Sequence, residues 1–84
     1  VHIEILHPSS FTIQANSAVM VECDIPAVDG YNPMMVTPRN YGSNVVSVFS
    51  NYINGSKVML GYMNASTVPI NLINISVVVI YLKS

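Results

Sequence analysis

Hydrophobic and polar residues alternate along most of the chain with a period of two, the pattern of strands whose successive side chains point to opposite faces. Residues 1–6 alternate with Val1, Ile3 and Ile5 on one face, and His7-Pro8-Ser9-Ser10 ends the run. Residues 11–15 alternate again with Phe11 and Ile13 inward, and Asn16-Ser17 reads as a turn. Residues 18–25 follow, with Met20, Glu22 and Asp24 on the wetter face, so these two runs predict a hairpin. Pro26-Ala27-Val28-Asp29-Gly30-Tyr31-Asn32-Pro33 predicts a shaped loop, because proline lacks the ladder donor and Asp29-Gly30 supplies a turn with positive φ. Met34-Met35-Val36-Thr37 predicts a short strand closed by Pro38. Residues 39–44 are the most polar and turn-rich stretch, a loop of the kind that carries binding surfaces. Residues 45–53 predict a strand with Val46, Val48, Ser50 and Tyr52 on one side and Val45, Ser47, Phe49, Asn51 and Ile53 on the other. Asn54-Gly55 is a strong hairpin signal, and residues 57–63 return as the partner with Val58, Leu60 and Tyr62 on one face.

After a turn at Asn64-Ala65-Ser66 and an irregular start at Pro69, residues 70–82 predict the longest and most buried strand. One side carries Ile70, Leu72, Asn74, Ser76, Val78, Ile80 and Leu82; the other carries Asn71, Ile73, Ile75, Val77, Val79 and Tyr81. Both sides are apolar from Val77 onward. An antiparallel strand of a small domain normally turns one polar face to water, so this one needs cover on its second face. In so short a chain the expected cover is another copy of itself. The pattern does not say which side is the interface, and Val79→Asp is the substitution expected to separate the two cases.

No stretch shows a helical period with caps. Six or seven strands at regular spacing predict an all-β fold, a small antiparallel β-sandwich, with a jelly-roll-like sandwich or a barrel as alternatives. The 84 residues make one domain, and the chain reads as the C-terminal part of a longer polypeptide. Hydrophobic residues are 51% and charged residues only 8%, against roughly 25% charged in an ordinary soluble domain. So little repulsive charge again points to an oligomer. Three basic residues against four acidic ones leave no stripe for phosphate, which argues against nucleic acid. No apolar run has the length of a membrane helix.

Candidate chemistry is sparse. Cys23 is the only cysteine, and alternation groups it with Val19, Val21 and Ile25 as a buried, inert thiol. Glu22 and Asp24 share a face, but paired acids on an open strand are solvated rather than catalytic. His2 beside Glu4, and His7 before a proline turn, lack metal-ligand spacing. No cofactor or metal site is expected. Asn54-Gly55-Ser56, Asn64-Ala65-Ser66 and Asn74-Ile75-Ser76 match the glycosylation acceptor pattern, which arises easily in a chain this rich in Asn and Ser. Tyr31, Tyr41, Tyr52 and Tyr62, with Asn32, Arg39, Asn40 and Asn44, have the chemistry of sugar recognition: flat rings for apolar sugar faces and amides for hydroxyls. Each also suits a turn or core edge, and clustering in one groove decides between the roles.

The order Ile25-Pro26-Ala27-Val28-Asp29-Gly30-Tyr31-Asn32-Pro33, Tyr52-Ile53-Asn54-Gly55, Asn64-Ala65-Ser66 and Ile75-Ser76-Val77-Val78-Val79-Ile80-Tyr81-Leu82-Lys83 resembles a C-terminal tip domain. The family is the tail-fibre and baseplate receptor-binding proteins of phages and prophages of Gram-positive bacteria, and the resemblance runs from about Phe11 to the end. It implies a β-sandwich head, usually trimeric, on a virion tail. It also implies non-enzymatic adhesion to host-surface polysaccharide or another cell-wall receptor. The expected ligand-binding residues are Tyr31, Asn32, Arg39, Asn40, Tyr41 and Asn44. The rival expectations are a trimerisation or capping domain that binds no receptor, and a carbohydrate-binding accessory module of a secreted enzyme, placed outside the cell or on its surface.

Overall fold

The alternating runs form strands, the last of them two, and every pairing is antiparallel. The computed structural model describes residues 1–38 and 45–84. Its strands are β1 (His2–Leu6), β2 (Phe11–Ile13), β3 (Ser17–Asp24), β4 (Tyr31–Pro38), β5 (Val46–Asn54), β6 (Lys57–Asn64), β7 (Ile70–Leu72) and β8 (Val77–Lys83). They form two three-stranded sheets, ordered β1-β8-β4 and β3-β6-β5, and a two-stranded ladder of β2 with β7. The molecule is long and narrow, 46 × 21 × 18 Å.

The inner sides of these sheets share one core. The β1-β8-β4 sheet gives it Val36, Val77, Val79 and Tyr81, and the β3-β6-β5 sheet gives Val46, Val58, Leu60 and Tyr62. Ile13 and Leu72 come from the short ladder, and Ile75 from the connection between β7 and β8. Burying each such side chain is worth about 1.5–3 kcal/mol. Cys23 lies half-buried beside Val19 and Val21.

The register departs from strict alternation at three places, and each has a local cause. The predicted thirteen-residue strand is two strands, because Asn74 adopts a left-handed backbone with φ 55°. Asn tolerates that region where β-branched residues do not. The break resets the parity: Leu72 points inward before it, and Ile75, Val77, Val79 and Tyr81 point inward after it. In β5 a bulge between Val48 and Ser50 adds one residue against β6. It turns Tyr52 outward opposite Met59 and Ile53 inward opposite Val58, as a one-residue slip must. In β4 a second bulge lies between Pro33 and Met35. It lets the strand begin at Tyr31, inside the segment predicted as a loop, and Pro33 is tolerated because β4 is an edge strand.

Two connections also differ from expectation. β2 and β3 do not form a hairpin: β2 pairs β7 and β3 pairs β6. Asn16, at φ 51°, turns the chain between them, and its amide donates to the Ser66 carbonyl at 3.0 Å instead of closing a local ladder. The β5–β6 hairpin does form, but its loop is Gly55-Ser56, because Asn54 still pairs with Lys57. Gly55 at φ 62° takes the first loop position, which suits a tight turn of the II′ kind.

Two outer faces remain. On the β1-β8-β4 sheet, Ile3, Ile80 and Met35 form one cross-strand row and Ile5, Val78 and Thr37 the next. Ile3, Ile5, Met35 and Leu82 are exposed, and no charged side chain interrupts these rows. Ile3 and Ile5 of β1 thus face outward, while His2, Glu4 and Leu6 are half-buried on the inner side. Val77, Val79 and Tyr81 belong to the core, so Val79→Asp tests folding, not association. On the other sheet, Phe49 and Met20 lie over Gly61, where an added Cβ would sit 2.7 Å from Phe49 Cζ and 2.9 Å from Met20 Sδ. Lys57 reaches Asp24 at 2.7 Å and Glu22 at 3.7 Å on the same face. All three are surface side chains, screened by water, and the contact adds little to stability.

Candidate functional site

The chain leaves β3 at Asp24, and residues 25–30 cross to the start of β4 beside the tip of the β5–β6 hairpin. The three segments enclose a pocket of about 230 Å³ lined by Ile25, Pro26, Ala27, Val28, Tyr31, Asn32, Pro33, Gly55 and Ser56. Among the described residues, none that lines it is charged. The lining combines an aromatic ring, two pyrrolidine rings, a primary amide and a hydroxyl, so it is mostly apolar with a few polar points. That is the usual make-up of a small-ligand site.

Its walls are held from behind. The Ile25 amide donates to the Ser56 carbonyl at 2.8 Å, joining the loop to the hairpin tip. The Tyr31 amide donates to the Val28 carbonyl at 3.0 Å, closing a turn whose third residue, Gly30, has φ 80°. Only glycine adopts that conformation freely, which is why Asp29-Gly30 is read correctly from sequence. The Ser84 amide then donates to the Gly30 carbonyl at 3.0 Å. Beneath the pocket, the buried Tyr81 donates its hydroxyl to the Pro26 carbonyl at 2.6 Å. Burial, and secondarily the charge of Glu4, pushes that hydroxyl's pKa above its ordinary value, so it remains a donor at neutral pH. The ring of His2 packs 5.7 Å from that of Tyr31 and edge-on, at 5.3 Å, to that of Tyr81, while its Nε2 lies 2.8 Å from a Glu4 carboxylate oxygen. Tyr31 therefore meets the pocket with its ring supported on one side.

No family model, no curated protein and no solved structure matches the chain. The site must be read from its own geometry.

Of the residues singled out by sequence, Tyr31 and Asn32 come together in this pocket. Arg39, Asn40, Tyr41 and Asn44 lie outside the described residues. Tyr52 is elsewhere, in a groove of about 440 Å³ between β4 and β5 that it shares with Met34, Met35, Val36, Asn51 and Ile53. Tyr62 is fully buried in the core. Pro26, Pro33, Gly55 and Ser56 read from sequence only as turn residues, and nothing local marks them as pocket walls. The Ile25–Ser56 hydrogen bond that assembles them spans more than thirty residues of chain.

Among the acceptor triplets, Asn64 is fully buried and cannot take a glycan in this fold, whereas Asn54 and Asn74 are exposed. Cys23 lies at the end of β3, and burial followed by the Asp24 charge raises its thiol above the ordinary value, the reverse of an activated nucleophile.

Proposed function

We propose that the chain is a non-enzymatic adhesion domain, the receptor-binding head of a viral tail fibre, and that it takes one neutral sugar unit of a host-surface polysaccharide in the Tyr31 pocket. The observation that carries this reading is the pocket's lining: a supported aromatic ring, an exposed amide and two proline rings, with no charge. A sugar needs a flat apolar partner for its C–H face and amides for its hydroxyls. A pocket smaller than the roughly 300–1,000 Å³ of drug-sized ligand sites suits a single ring. One such site binds weakly, and repetition about a fibre axis supplies avidity.

On this reading the two three-stranded sheets are the layers of a small sandwich, and three copies associate through the outer face of the β1-β8-β4 sheet. The charge-free rows centred on Ile80 support that arrangement, since exposed apolar patches mark interaction surfaces. The same rows favour the second reading, a trimer-registering or capping domain without a receptor.

Amide chemical shifts of the domain, titrated with neutral monosaccharides and with host cell-wall polysaccharide, separate the two. Adhesion predicts shifts confined to Asn32, Gly55, Ser56 and neighbouring amides, abolished in Tyr31→Ala. A folded Tyr31→Ala that binds as well as wild type refutes the assigned site, and saturating polysaccharide that moves no amide refutes adhesion. Light scattering reports the association separately, with a mass of three chains expected.

A further inference from the structure

We propose that Asn54 is a site of spontaneous covalent modification, losing its amide through a succinimide and so marking the rim of the pocket with age. The inference is independent of what the pocket binds. It rests on where the fold puts the one Asn-Gly pair of the chain.

The reaction needs the backbone nitrogen of the next residue to reach the Asn side-chain carbonyl carbon, and a Cβ on that residue stands in the way. At position 55 there is no Cβ, and nothing lies within 4 Å of where one would be. Asn54, Gly55 and Ser56 are all exposed, and Asn54 is the last ladder residue before the loop, where opening costs least. The other asparagines supply internal controls. Asn32 precedes Pro33, whose nitrogen carries no hydrogen; Asn64 is fully buried; Asn74 precedes the buried, β-branched Ile75.

The Gly55 nitrogen attacks the Asn54 side-chain carbonyl carbon; the new C–N bond forms as the C–Nδ2 bond breaks, and the displaced proton leaves with ammonia. Water then adds to either carbonyl of the five-membered ring. Opening one way gives an ordinary aspartate at position 54, and opening the other gives isoaspartate, in which the main chain runs through the side-chain carbons. The balance is one water in and one ammonia out. Either product adds a carboxylate opposite Lys57, which already faces Asp24 across the other side of β6. Isoaspartate also lengthens the chain just before Gly55 and Ser56, two of the pocket's walls, and disturbs the carbonyl of Ser56 that holds Ile25.

The test is incubation of the folded protein at mildly alkaline pH, with peptide mass spectrometry, ammonia release and enzymatic isoaspartate methylation as readouts. The expected result is conversion at Asn54 at least tenfold faster than at any other described asparagine, with isoaspartate the larger product. Gly55→Ala should slow it more than tenfold. Because alanine is strained at a positive φ, Ser56→Ala serves as a second variant and should leave the rate within twofold. The unfolded chain in urea gives the intrinsic rate. Conversion in urea with none in the folded protein overturns the proposal, as does a folded-state rate at Asn54 no faster than at Asn51 or Asn71.

Discussion

Replacing Asn64 by alanine tests whether this narrow fold depends on one buried polar side chain. Asn64 is fully buried at the end of β6. Its Nδ2 donates to the carbonyls of Ile13 at 3.1 Å, Gln14 at 3.2 Å and Val68 at 2.9 Å. Its Oδ1 accepts from the Ser66 amide at 2.9 Å and the Ser66 hydroxyl at 2.7 Å. One amide thus ties the β2–β3 connection to the β6–β7 connection, at both of which the consecutive strands do not pair with each other. In Asn64→Ala the exposed Val68 region can rehydrate, but the Ile13 carbonyl and the Ser66 amide are left facing a cavity. At about 1–3 kcal/mol per buried orphan, two orphans cost about 2–6 kcal/mol. An 84-residue domain has about 4–13 kcal/mol in all. At about 4–8 °C per kcal/mol, a loss of 3 kcal/mol lowers Tm by about 12–24 °C in calorimetry or circular dichroism. A fall of less than about 4 °C refutes the reasoning. Asn64→Asp adds a sign test. A carboxylate aimed at three carbonyls favours its protonated form, so its folded pKa lies above the unfolded value of about 3.9. Its stability is then greatest below that value and is lost as pH rises through the folded pKa. An Asn64→Asp deficit that does not shrink in acid counts against the assigned geometry.

On the proposed trimer, Ile80→Lys should reduce the light-scattering mass from three chains to one and leave a folded monomer, whereas Val79→Asp should abolish folding; an Ile80→Lys protein that keeps its mass removes that face as the interface. Gly61→Ala should cost no more than about 1 kcal/mol in urea denaturation, because the atoms it meets are the ends of Phe49 and Met20, and the cost should vanish in a Phe49→Ala background. Iodoacetamide should alkylate Cys23 more slowly in the folded protein than in the unfolded chain near pH 8, since burial and then Asp24 hold its thiol above the usual range. Asp24→Asn should speed the reaction, and an unchanged rate would remove the Asp24 contribution.

The legible and illegible parts of this fold divide along one physical line. Alternation is a local property, and it assigns the inward set of β3 and of β6, where Val58, Leu60 and Tyr62 share a face and are buried. It also marks the Asp29-Gly30 turn, because a positive φ selects its residue regardless of what lies around it. What alternation cannot carry is a change of parity. Asn74 and the bulge at Phe49 each shift the count by one, and beyond each shift every remaining side chain changes face. A β-branched run offers no sign of the first, and Ser-Val-Phe-Ser-Asn offers none of the second.

Pairing between distant segments is invisible for a related reason. Residues 11–15 and 18–25 have the spacing of a hairpin, and the alternative partners, β7 and β6, are chosen by Asn64 and by the shared core. The pocket inherits both limits. Tyr31 and Asn32 are found by side-chain chemistry, but their companions Gly55 and Ser56 reach them through the Ile25–Ser56 hydrogen bond. The doubly apolar last strand shows the converse. Its need for cover is visible from composition alone, and the fold answers half of it by turning Val77, Val79 and Tyr81 into the core. The other half, Val78, Ile80 and Leu82 flanked by Ile3, Ile5 and Met35, still faces outward. On the other sheet, β3 places Glu22 and Asp24 on its own outer side, within reach of Lys57. The Lys57, Glu22 and Asp24 charges on one outer face and the uncharged Ile3-Ile80-Met35 row on the other are what assign the proposed association to the β1-β8-β4 side.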